Sequence, residues 1–410
     1  MPDLFRHPPP CQALRQWDKH VRGPRHKAGV TGGLDRLPDR WRKDARLALL
    51  PEGFHDRLPP FADAAQRLEA RLLGTAFAHG YERVDPASAE FEAGLATRLK
   101  AGRTRDAVRF VDPVSQRTLA IRPDMTAQIG RIAATRMAHH PRPVRLSYAG
   151  QVLKLRASEL APAREARQIG CELIGLDSVA AAREVVNVAV EALQAAGIGD
   201  LSIDFTLPDL VDTLAAGPLA VPPDRLEALR DRLDAKDAGG VAALDPRYLP
   251  LIAAAGPFAE AHDRLCAFDA GGALRSRLDG LWAIGQGLPI RATLDPTERH
   301  GFEFQSWLGF SLFAGGVRGE IGRGGSYTIL HENGAEEPAV GFSLYADALV
   351  DAGLTMPERR RLFVPLGTAP ARAAAMRAEG WVTVAALDPH DTPAAQLCSH
   401  VLGAAGPIPA

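Results

Sequence analysis

The sequence predicts an α+β fold built on an antiparallel sheet with flanking helices. Three observations predict it. Segments that favour β structure pair through hairpins, and segments with helical periodicity are grouped apart from them. The composition, with 46% apolar and 24% charged residues, is that of an ordinary globular protein. Strands that alternate with helices would instead predict a doubly wound parallel sheet. A chain of 410 residues can hold two or more domains.

Three regions divide the chain. Residues 1–46 carry eleven Lys/Arg against five Asp/Glu and no sustained apolar period, which predicts a basic, flexible N-terminal extension. A nucleic-acid-binding tail is the alternative, but prolines and acids interrupt each basic cluster. Residues 47–355 are the predicted core, with 208–288 as a helical insertion within it, and 356–410 are a small C-terminal α/β segment.

Periodicity predicts the elements in order along the chain. Helical spacing predicts helices from Phe61 to a stop at Gly80, and over 124–138, 179–196, 225–244, 258–284 and 343–352. β-favouring runs predict strands near 81–85, 107–112 and 117–122, two hairpin-linked strands between 144 and 176, and strands at 201–206, 290–294, 301–313, 318–322 and 326–330. The C-terminal segment is predicted as a strand over 361–365, a helix over 370–379 and a strand over 382–387.

Charge and cysteine content exclude several classes of protein. A formal net charge of −1 removes any whole-molecule attraction to nucleic acid or membranes. The four cysteines are far apart, which predicts reduced residues of a cytoplasmic protein rather than a disulfide or zinc framework. No run approaches the roughly 18 apolar residues of a membrane helix, and the N-terminus lacks the apolar core of a signal peptide. We expect a soluble cytoplasmic protein with no metal or cofactor.

The segment Gln168 to Glu172 is a candidate ligand-binding strand. Alternation places Gln168, Gly170 and Glu172 on one face, with the two polar residues ~13 Å apart across a floor that lacks side chains. Such a floor suits a ligand of amino-acid size, because Glu172 can accept from an ammonium or imidazole N–H and Gln168 can bond either polarity. Pattern alone favours the alternative, a strand whose polar face meets solvent.

Three other segments have a structural and a functional interpretation. Asp124 and Thr126 open a predicted helix, so Asp124 either caps it or, beside a pocket, holds an amino group with Thr126. The glycines of 319–325 precede a β-favouring run rather than a helix, so they predict a tight turn and close backbone approach to a small molecule, not a phosphate loop. The charged hairpin of 154–167 is either solvated or a loop that contacts phosphate or a partner. No nucleophile–base pair is evident, so no catalytic residue is predicted.

Together these segments resemble the core of histidyl-tRNA synthetase, a class II aminoacyl-tRNA synthetase, over about residues 49–352. The matching segments are Arg122–Thr126, motif 2 at 146–154, Gln168–Glu172, the histidine motif at 300–304, Gly324–Tyr327 and motif 3 at 340–349. The resemblance implies a class II synthetase-like sheet and a histidine pocket formed by Asp124, Thr126, Gln168, Glu172 and Tyr327, with Lys154 carried over from motif 2. Gln305 aligns with a pocket tyrosine of that family but lacks the ring.

The departures from the synthetase pattern concern ATP. Motif 2 has Leu153 and Lys154 where the family has Phe-Arg, and the phenylalanine that stacks on adenine falls on Ala166. The motif 3 arginine falls on Ala348, and the catalytic arginine falls on His300, with Arg299, one residue earlier, as the alternative. Losing each such group costs on the order of 2–4 kcal/mol of transition-state stabilisation. Adenylation is therefore not expected. The roughly 55 residues after Pro357 are also too few for the usual anticodon-binding domain.

A synthetase-like core without these groups resembles the regulatory subunits of ATP phosphoribosyltransferase. The helix around 229–244 and the approach Leu294–Glu298 resemble that family as well. The resemblance implies a non-catalytic dimeric subunit in a hetero-octamer with a short-form catalytic subunit, required for the first step of histidine biosynthesis and for its feedback by histidine. No tRNA is expected as a partner. The alternatives are an authentic histidyl-tRNA synthetase and a free-standing amino-acid-binding paralogue.

Overall fold

The computed structural model describes residues 50–96, 107–156, 163–269, 271–299, 305–356 and 360–410. Within these ranges the strands are β1 Glu82–Arg83, β2 Ala89–Phe91, β3 Val108–Val111, β4 Thr118–Ile121, β5 Val144–Leu153, β6 Glu165–Ile174, β7 Leu201–Thr206, β8 Gly256–Pro257, β9 Arg291–Leu294, β10 Gln305–Ala314, β11 Gly322–Leu330, β12 Glu336–Tyr345, β13 Arg361–Val364, β14 Val382–Ala385, β15 His400–Gly403 and β16 Gly406–Pro409. The predicted N-terminal extension, 1–46, lies outside the described residues.

A nine-stranded sheet organises the core in the order β1-β5-β6-β12-β11-β10-β7-β9-β8. Its five central pairs, from β5 to β7, are antiparallel, and so is β8 with β9. Only the pairs β1–β5 and β7–β9 of this sheet are parallel. The outermost strands, β1 and β8, are two residues long. A second, three-stranded sheet has the order β2-β4-β3. The predicted α+β architecture with an antiparallel sheet is confirmed.

The helices pack against one of the sheets or form the insertion. They are α1 Phe61–Ala78, α2 Glu92–Ala96, α3 Thr126–Thr135, α4 Val179–Ala195, α5 Leu210–Ala216, α6 Pro223–Asp234, α7 Ala238–Leu244, α8 Leu249–Ala253, α9 Phe258–Phe268, α10 Arg275–Gly285, α11 Ala346–Asp351 and α12 Pro370–Ala378, with a 3₁₀ turn at Pro246–Tyr248. None of the helices in the described part combines the length and apolar character that a membrane crossing requires.

Helices α1 and α4 have the buried faces that their spacing predicts. In α1, Ala64, Leu68, Leu72 and Ala76 are buried. In α4, the buried face includes Val185, Val186, Ala189, Val190 and Leu193, and the Ser178 hydroxyl at the N-cap accepts a hydrogen bond from the Ala181 N–H at 3.1 Å. The two helices pack on each other and against the sheet, so they cover one of its faces.

Two predicted long helices are each interrupted. Residues 225–244 form α6 and α7, because Lys236 has a positive φ of 55° and Asp237 caps α7 by accepting from the Gly240 N–H at 2.9 Å. Residues 258–284 form α9 and α10, separated by a turn in which Gly272 has a φ of 73°. Lys236 Nζ donates to Asp295 at 2.6 Å and to the Thr297 hydroxyl at 2.7 Å, which ties the helical insertion to the residues after β9.

The structure differs from the prediction between residues 318 and 346. Residues 318–321 form a turn, with Gly319 at a φ of 78°, and the strand β11 begins only at Gly322. The predicted turn glycines at 324 and 325 therefore lie inside a strand. The strand β12 was not predicted, and the helix expected from residue 343 begins at Ala346. Pro338 and Gly341 lower the β propensity of this strand, whose pairing on both sides holds it in place.

The C-terminal segment forms its own sheet in the order β14-β13-β15-β16. Strand β13 runs parallel to β14 and β15, whereas β15 and β16 are antiparallel. Leu362, Val364, Trp381 and Leu402 are buried together in this unit. The predicted strand–helix–strand order agrees with β13, α12 and β14, while β15 and β16 were not predicted. The division of the chain into domains stays a prediction.

Candidate functional site

Four adjacent strands present polar side chains on one face of the large sheet. They are Tyr148 on β5, Gln168 and Glu172 on β6, Ser343 on β12 and Tyr327 on β11. Gly170 lies opposite Tyr148 on one side and Ser343 on the other, and Gly341 lies opposite Glu172. Because directly paired residues point to the same face, these side chains converge over the two glycines.

Gly170 and Gly341 are required because neighbouring atoms lie close to their backbones. A Cβ on Gly170 would collide with the Tyr148 hydroxyl and the carbonyl of Phe342. A Cβ on Gly341 would collide with the Glu172 carboxyl group. Any larger residue at these positions would displace the polar side chains above the floor.

Glu172 is a buried acid between two tyrosines. Its carboxyl oxygens accept hydrogen bonds from the Tyr148 hydroxyl at 3.0 Å and the Tyr327 hydroxyl at 2.8 Å, and the residue is 1% exposed. Burial raises the pKa of Glu172 to about 8, although hydrogen bonds from Tyr327, Tyr148 and Thr126 act in the opposite direction. Near neutral pH the Glu172 carboxyl group can therefore donate a hydrogen bond to a ligand nitrogen or accept one from a ligand N–H.

Gln168 anchors the other end of the floor. Its Nε2 donates to Asp124 Oδ2 and to the Ser343 hydroxyl, both at 2.7 Å, and its Oε1 accepts from the Met125 N–H at 2.9 Å. Gln168 and Glu172 are both almost fully buried. The solvent-facing interpretation of this strand is therefore wrong, because α3 and the strands β11 and β12 supply the partners that the pattern of a single strand does not reveal.

Asp124 combines the two roles considered for it. Its Oδ1 accepts from the N–H of Thr126, the first residue of α3, at 2.7 Å, so it satisfies a free helix N–H. Its Oδ2 accepts from Gln168 and is directed to the polar floor. Asp124 is only partly buried, whereas Thr126 is buried. The Asp124 side chain therefore lies at the solvent-facing edge of the polar network.

The structure brings five of the six predicted site residues together. Asp124, Thr126, Gln168, Glu172 and Tyr327 belong to one network. Lys154 is exposed and follows the end of β5, four residues beyond the partner of Gln168, or ~13 Å along the strand. The structure does not place it with the other five. Binding roles for all six remain predictions.

Sequence reasoning missed Tyr148 and Ser343. The Ser343 hydroxyl lies 3.0 Å from the Tyr148 hydroxyl and accepts from Gln168, so it links the two ends of the floor. The signal that could have found Tyr148 is the hairpin register, which places it opposite Gly170. Ser343 required knowledge of β12, a strand that the sequence did not predict.

Among the described residues, Arg122 and Arg323 lie near the polar network and have internal partners. Arg122 is 4% exposed and donates to the carbonyls of Pro86 at 2.7 Å and Gln151 at 2.8 Å. Burial lowers the pKa of Arg122. Arg323, on the same sheet face, forms an ion pair with Glu320. Both guanidinium groups thus have partners within the protein.

Comparison with known proteins gives a consistent result. Residues 53–349 match the family model described as histidyl-tRNA synthetase. An ATP phosphoribosyltransferase regulatory subunit from Paramagnetospirillum magneticum is 42% identical, covering 89% of this chain and 98% of the relative. One from Rhodospirillum centenum is also 42% identical, covering 84% and 90%.

A solved structure shares the fold. It is described as an ATP phosphoribosyltransferase regulatory subunit/histidyl-tRNA synthetase from Bacillus halodurans. It superposes with a TM-score of 0.71 at 20% identity and covers 85% of this chain and 96% of its own. At this identity the likeness carries the fold, and the closer sequence relatives carry the family. The chain belongs to the family of ATP phosphoribosyltransferase regulatory subunits, on the synthetase-like fold that its motifs predict.

Proposed function

We propose that the chain is the non-catalytic regulatory subunit of a cytoplasmic ATP phosphoribosyltransferase. It binds a short-form catalytic subunit, is required for the first step of L-histidine biosynthesis, and takes part in feedback by histidine. The observation that carries this proposal is the buried row Gln168, Gly170 and Glu172, a set of polar side chains over a glycine floor in a chain of this family.

Histidine is the ligand that fits the chemistry of the cradle. Its ammonium group bonds to Asp124 and to the Thr126 hydroxyl, at the end of the pocket that Gln168 fixes. Its imidazole ring bonds to Glu172 at the other end. The neutral Glu172 carboxyl group has one O–H donor and further acceptor sites, so the hydrogen bonds from Tyr148 and Tyr327 leave capacity for a ring nitrogen of the ligand.

The same features argue against catalysis by this chain alone. Amino-acid activation requires cations that neutralise a triphosphate and stabilise charge at the α-phosphorus. Ala166 and Ala348 stand where the synthetase has its adenine-stacking and motif 3 side chains, and Arg323 is paired with Glu320. The pocket binds an amino acid and does not activate it.

Regulation follows from thermodynamic linkage. The subunit forms a homodimer within a hetero-octamer that interconverts between active and inhibited states. Histidine shifts that equilibrium only by as much as its affinities for the two states differ. Removing a polar contact made in the inhibited state should therefore weaken inhibition.

The test is reconstitution with a short-form catalytic subunit. Phosphoribosyl transfer should require both chains and should fall when histidine is added. Tyr327→Phe removes a hydroxyl that contacts Glu172 and should raise the histidine concentration for half-inhibition about tenfold, measured against the variant's own uninhibited rate. Tyr248→Phe is a matched control, because it removes a buried hydroxyl that contacts the Leu219 carbonyl in the insertion, outside the pocket.

Two outcomes would contradict the proposal. The first is a catalytic subunit that reaches full activity without this chain. The second is inhibition whose half-maximal histidine concentration is equal in wild type and in Tyr327→Phe, which would move the inhibitory site elsewhere.

A further inference from the structure

The C-terminal sheet has one protected edge and one unprotected edge. Its strand order, β14-β13-β15-β16, leaves β14 and β16 at the two ends. Strand β16 is protected, because Pro407 and Pro409 have no N–H to offer to a further strand. Strand β14, Val382–Ala385, contains neither proline nor a charged residue. Natural proteins rarely leave such an edge open, so β14 is a candidate interaction surface.

The backbone groups at the open edge of β14 are those of Thr383 and Ala385. The Val382 N–H donates to the carbonyl of Arg360 at 2.9 Å, so the even-numbered residues of β14 bond on the side of β13. The residues between them direct their N–H and C=O groups to the opposite side. In the part of the chain that the structure describes, β14 pairs with β13 alone.

An identical strand satisfies these groups in one register. In an antiparallel pair, two residues whose backbone groups face each other exchange both hydrogen bonds. Placing Thr383 opposite Ala385 of a second copy, and Ala385 opposite Thr383, uses every donor and acceptor of the edge. The two-fold axis then passes between the two Val384 residues. They form a pair without backbone hydrogen bonds, with Cα atoms about 4.5 Å apart.

The charges around β14 are complementary under the same symmetry. Arg360, Arg377 and Glu379 lie near the start of the strand, with two cations against one acid, whereas Asp388 and Asp391 follow its end. An antiparallel partner brings the start of one strand to the end of the other. The arginines of one copy therefore approach the aspartates of the second, and the uncharged strands add no repulsion between them.

Helix α12 leaves room for the second copy. It packs next to β14, and Arg377 donates to the Thr383 hydroxyl at 3.0 Å, so this side of the helix lies toward the open edge. Pro370, Ala374 and Ala378 fall on the same side at four-residue spacing, and all three are exposed. A two-fold axis through β14 places both copies of α12 on one face of the sheet, where these small side chains do not obstruct their approach.

We propose that β14 pairs antiparallel with β14 of a second copy of this chain, which joins two four-stranded sheets into one sheet. Both outer edges of that sheet are then β16, the strand that its prolines protect, so the pairing closes at two copies. Leu387, which is 88% exposed, comes to lie beside Trp381 of the second copy. The inference is independent of the proposed function, because it requires neither histidine nor the catalytic subunit.

The test is disulfide trapping of the full-length chain, because a four-residue edge buries less than the ~800 Å² per partner of a stable interface. Val384→Cys places a thiol at the two-fold axis, where a Cα separation of about 4.5 Å suits a disulfide. Mild oxidation should link most chains into dimers on a non-reducing gel. Wild type, treated alike, gives the background from the native cysteines.

Val382→Cys is the matched control on the same strand and the same face. In the proposed register, residue 382 lies four residues, or ~13 Å, from its own counterpart in the second copy. Val382 is 44% exposed and Val384 less so, yet Val382→Cys should link at least about tenfold more slowly, because its thiols are too far apart. Equal rates for the two variants would overturn the inference.

A charge on the edge tests the strand pairing separately. Ala385→Lys in the Val384→Cys background keeps the N–H but brings a cation near Arg377 of the second copy, so it should slow linking about tenfold. Ala385 is exposed, so the melting temperature should not change. Undiminished linking would contradict the pairing. A Val384→Cys chain that stays unlinked alone, and whose thiol only the catalytic subunit protects from alkylation, would assign the edge to that subunit and overturn the inference.

Discussion

The Glu172 carboxyl group couples the pocket to pH. Burial raises its pKa in the native state to about 8, whereas an unfolded chain has the ordinary value of 4.5. Between these values the native state binds more protons than the unfolded state. The free energy of unfolding contributed by this group therefore falls as the pH rises from about 5 to 8.

Glu172→Gln should remove this pH dependence. The stability of wild type relative to the variant should fall by up to about 1.4 kcal/mol per pH unit across that window. Urea unfolding at pH 5, 6, 7 and 8 measures the difference. Glu379→Gln, at an exposed position after α12, is the control and should run parallel to wild type. Parallel profiles for Glu172→Gln would show that the acid is not held in its neutral form.

At the level of elements, close packing requires the glycine Gly341 on β12 but not the glycine Gly74 on α1. Gly341 lies directly under Glu172, and a Cβ there has no room. Gly74 lies within α1, with nothing within 4 Å of an added Cβ. One glycine therefore serves the site, while the other only lowers helix propensity.

Alanine at each glycine should change stability in opposite directions. Gly341→Ala should lower the free energy of unfolding by about 1–3 kcal/mol and should weaken histidine binding, because Glu172 must move. Gly74→Ala should raise it by about 0.4–1 kcal/mol and leave binding unchanged. Chemical denaturation and calorimetry measure both quantities. A Gly341→Ala variant with wild-type stability and affinity would contradict the close packing described for the floor.

The elements that the sequence predicted are those with local signals. Helix α4 was recognised because its apolar face repeats at helical spacing, and β7 because Leu201, Ile203 and Phe205 alternate with polar residues. Strand β12 escaped prediction, since Pro338 and Gly341 weaken its local signal; one partner, β11, precedes it through a short hairpin, but the other, β6, is distant in the sequence. The interruption at Lys236 escaped because a positive φ at lysine has no sequence signature.

The candidate site shows the same limit. Motif resemblance identified Gln168 and Glu172, but their burial depends on strands that only the fold brings together. Ser343 and Tyr148 complete the network through contacts that are remote in the sequence. Lys154 was assigned by alignment alone, and the end of β5 carries it away from the floor.

For the molecule as a whole, the arrangement of charge opposes nucleotide chemistry. The formal net charge is −1, and the arginines nearest the pocket are paired or buried. A triphosphate at this face would meet neutralised guanidinium groups and the carboxylates of Glu320 and Asp124. In the part of the chain that the structure describes, these two guanidinium groups would therefore compensate the charge of a triphosphate only weakly.

We expect no exchange of pyrophosphate into ATP when the chain is incubated with histidine and magnesium. An authentic histidyl-tRNA synthetase in the same assay is the positive control. The rate should remain at the level of the buffer blank, because several groups worth about 2–4 kcal/mol each are absent together. Histidine-dependent exchange above the blank would identify the chain as an activating enzyme.

The two edge strands of the large sheet affect how the protein should behave at high concentration. Strands β1 and β8 are each two residues long, and β8 ends at Pro257, which has no N–H to offer. A long exposed edge strand would pair with strands of other molecules and so promote cross-β fibrils. Because both edge strands are so short, we expect concentrated preparations to resist fibril formation, even though the sheet has nine strands.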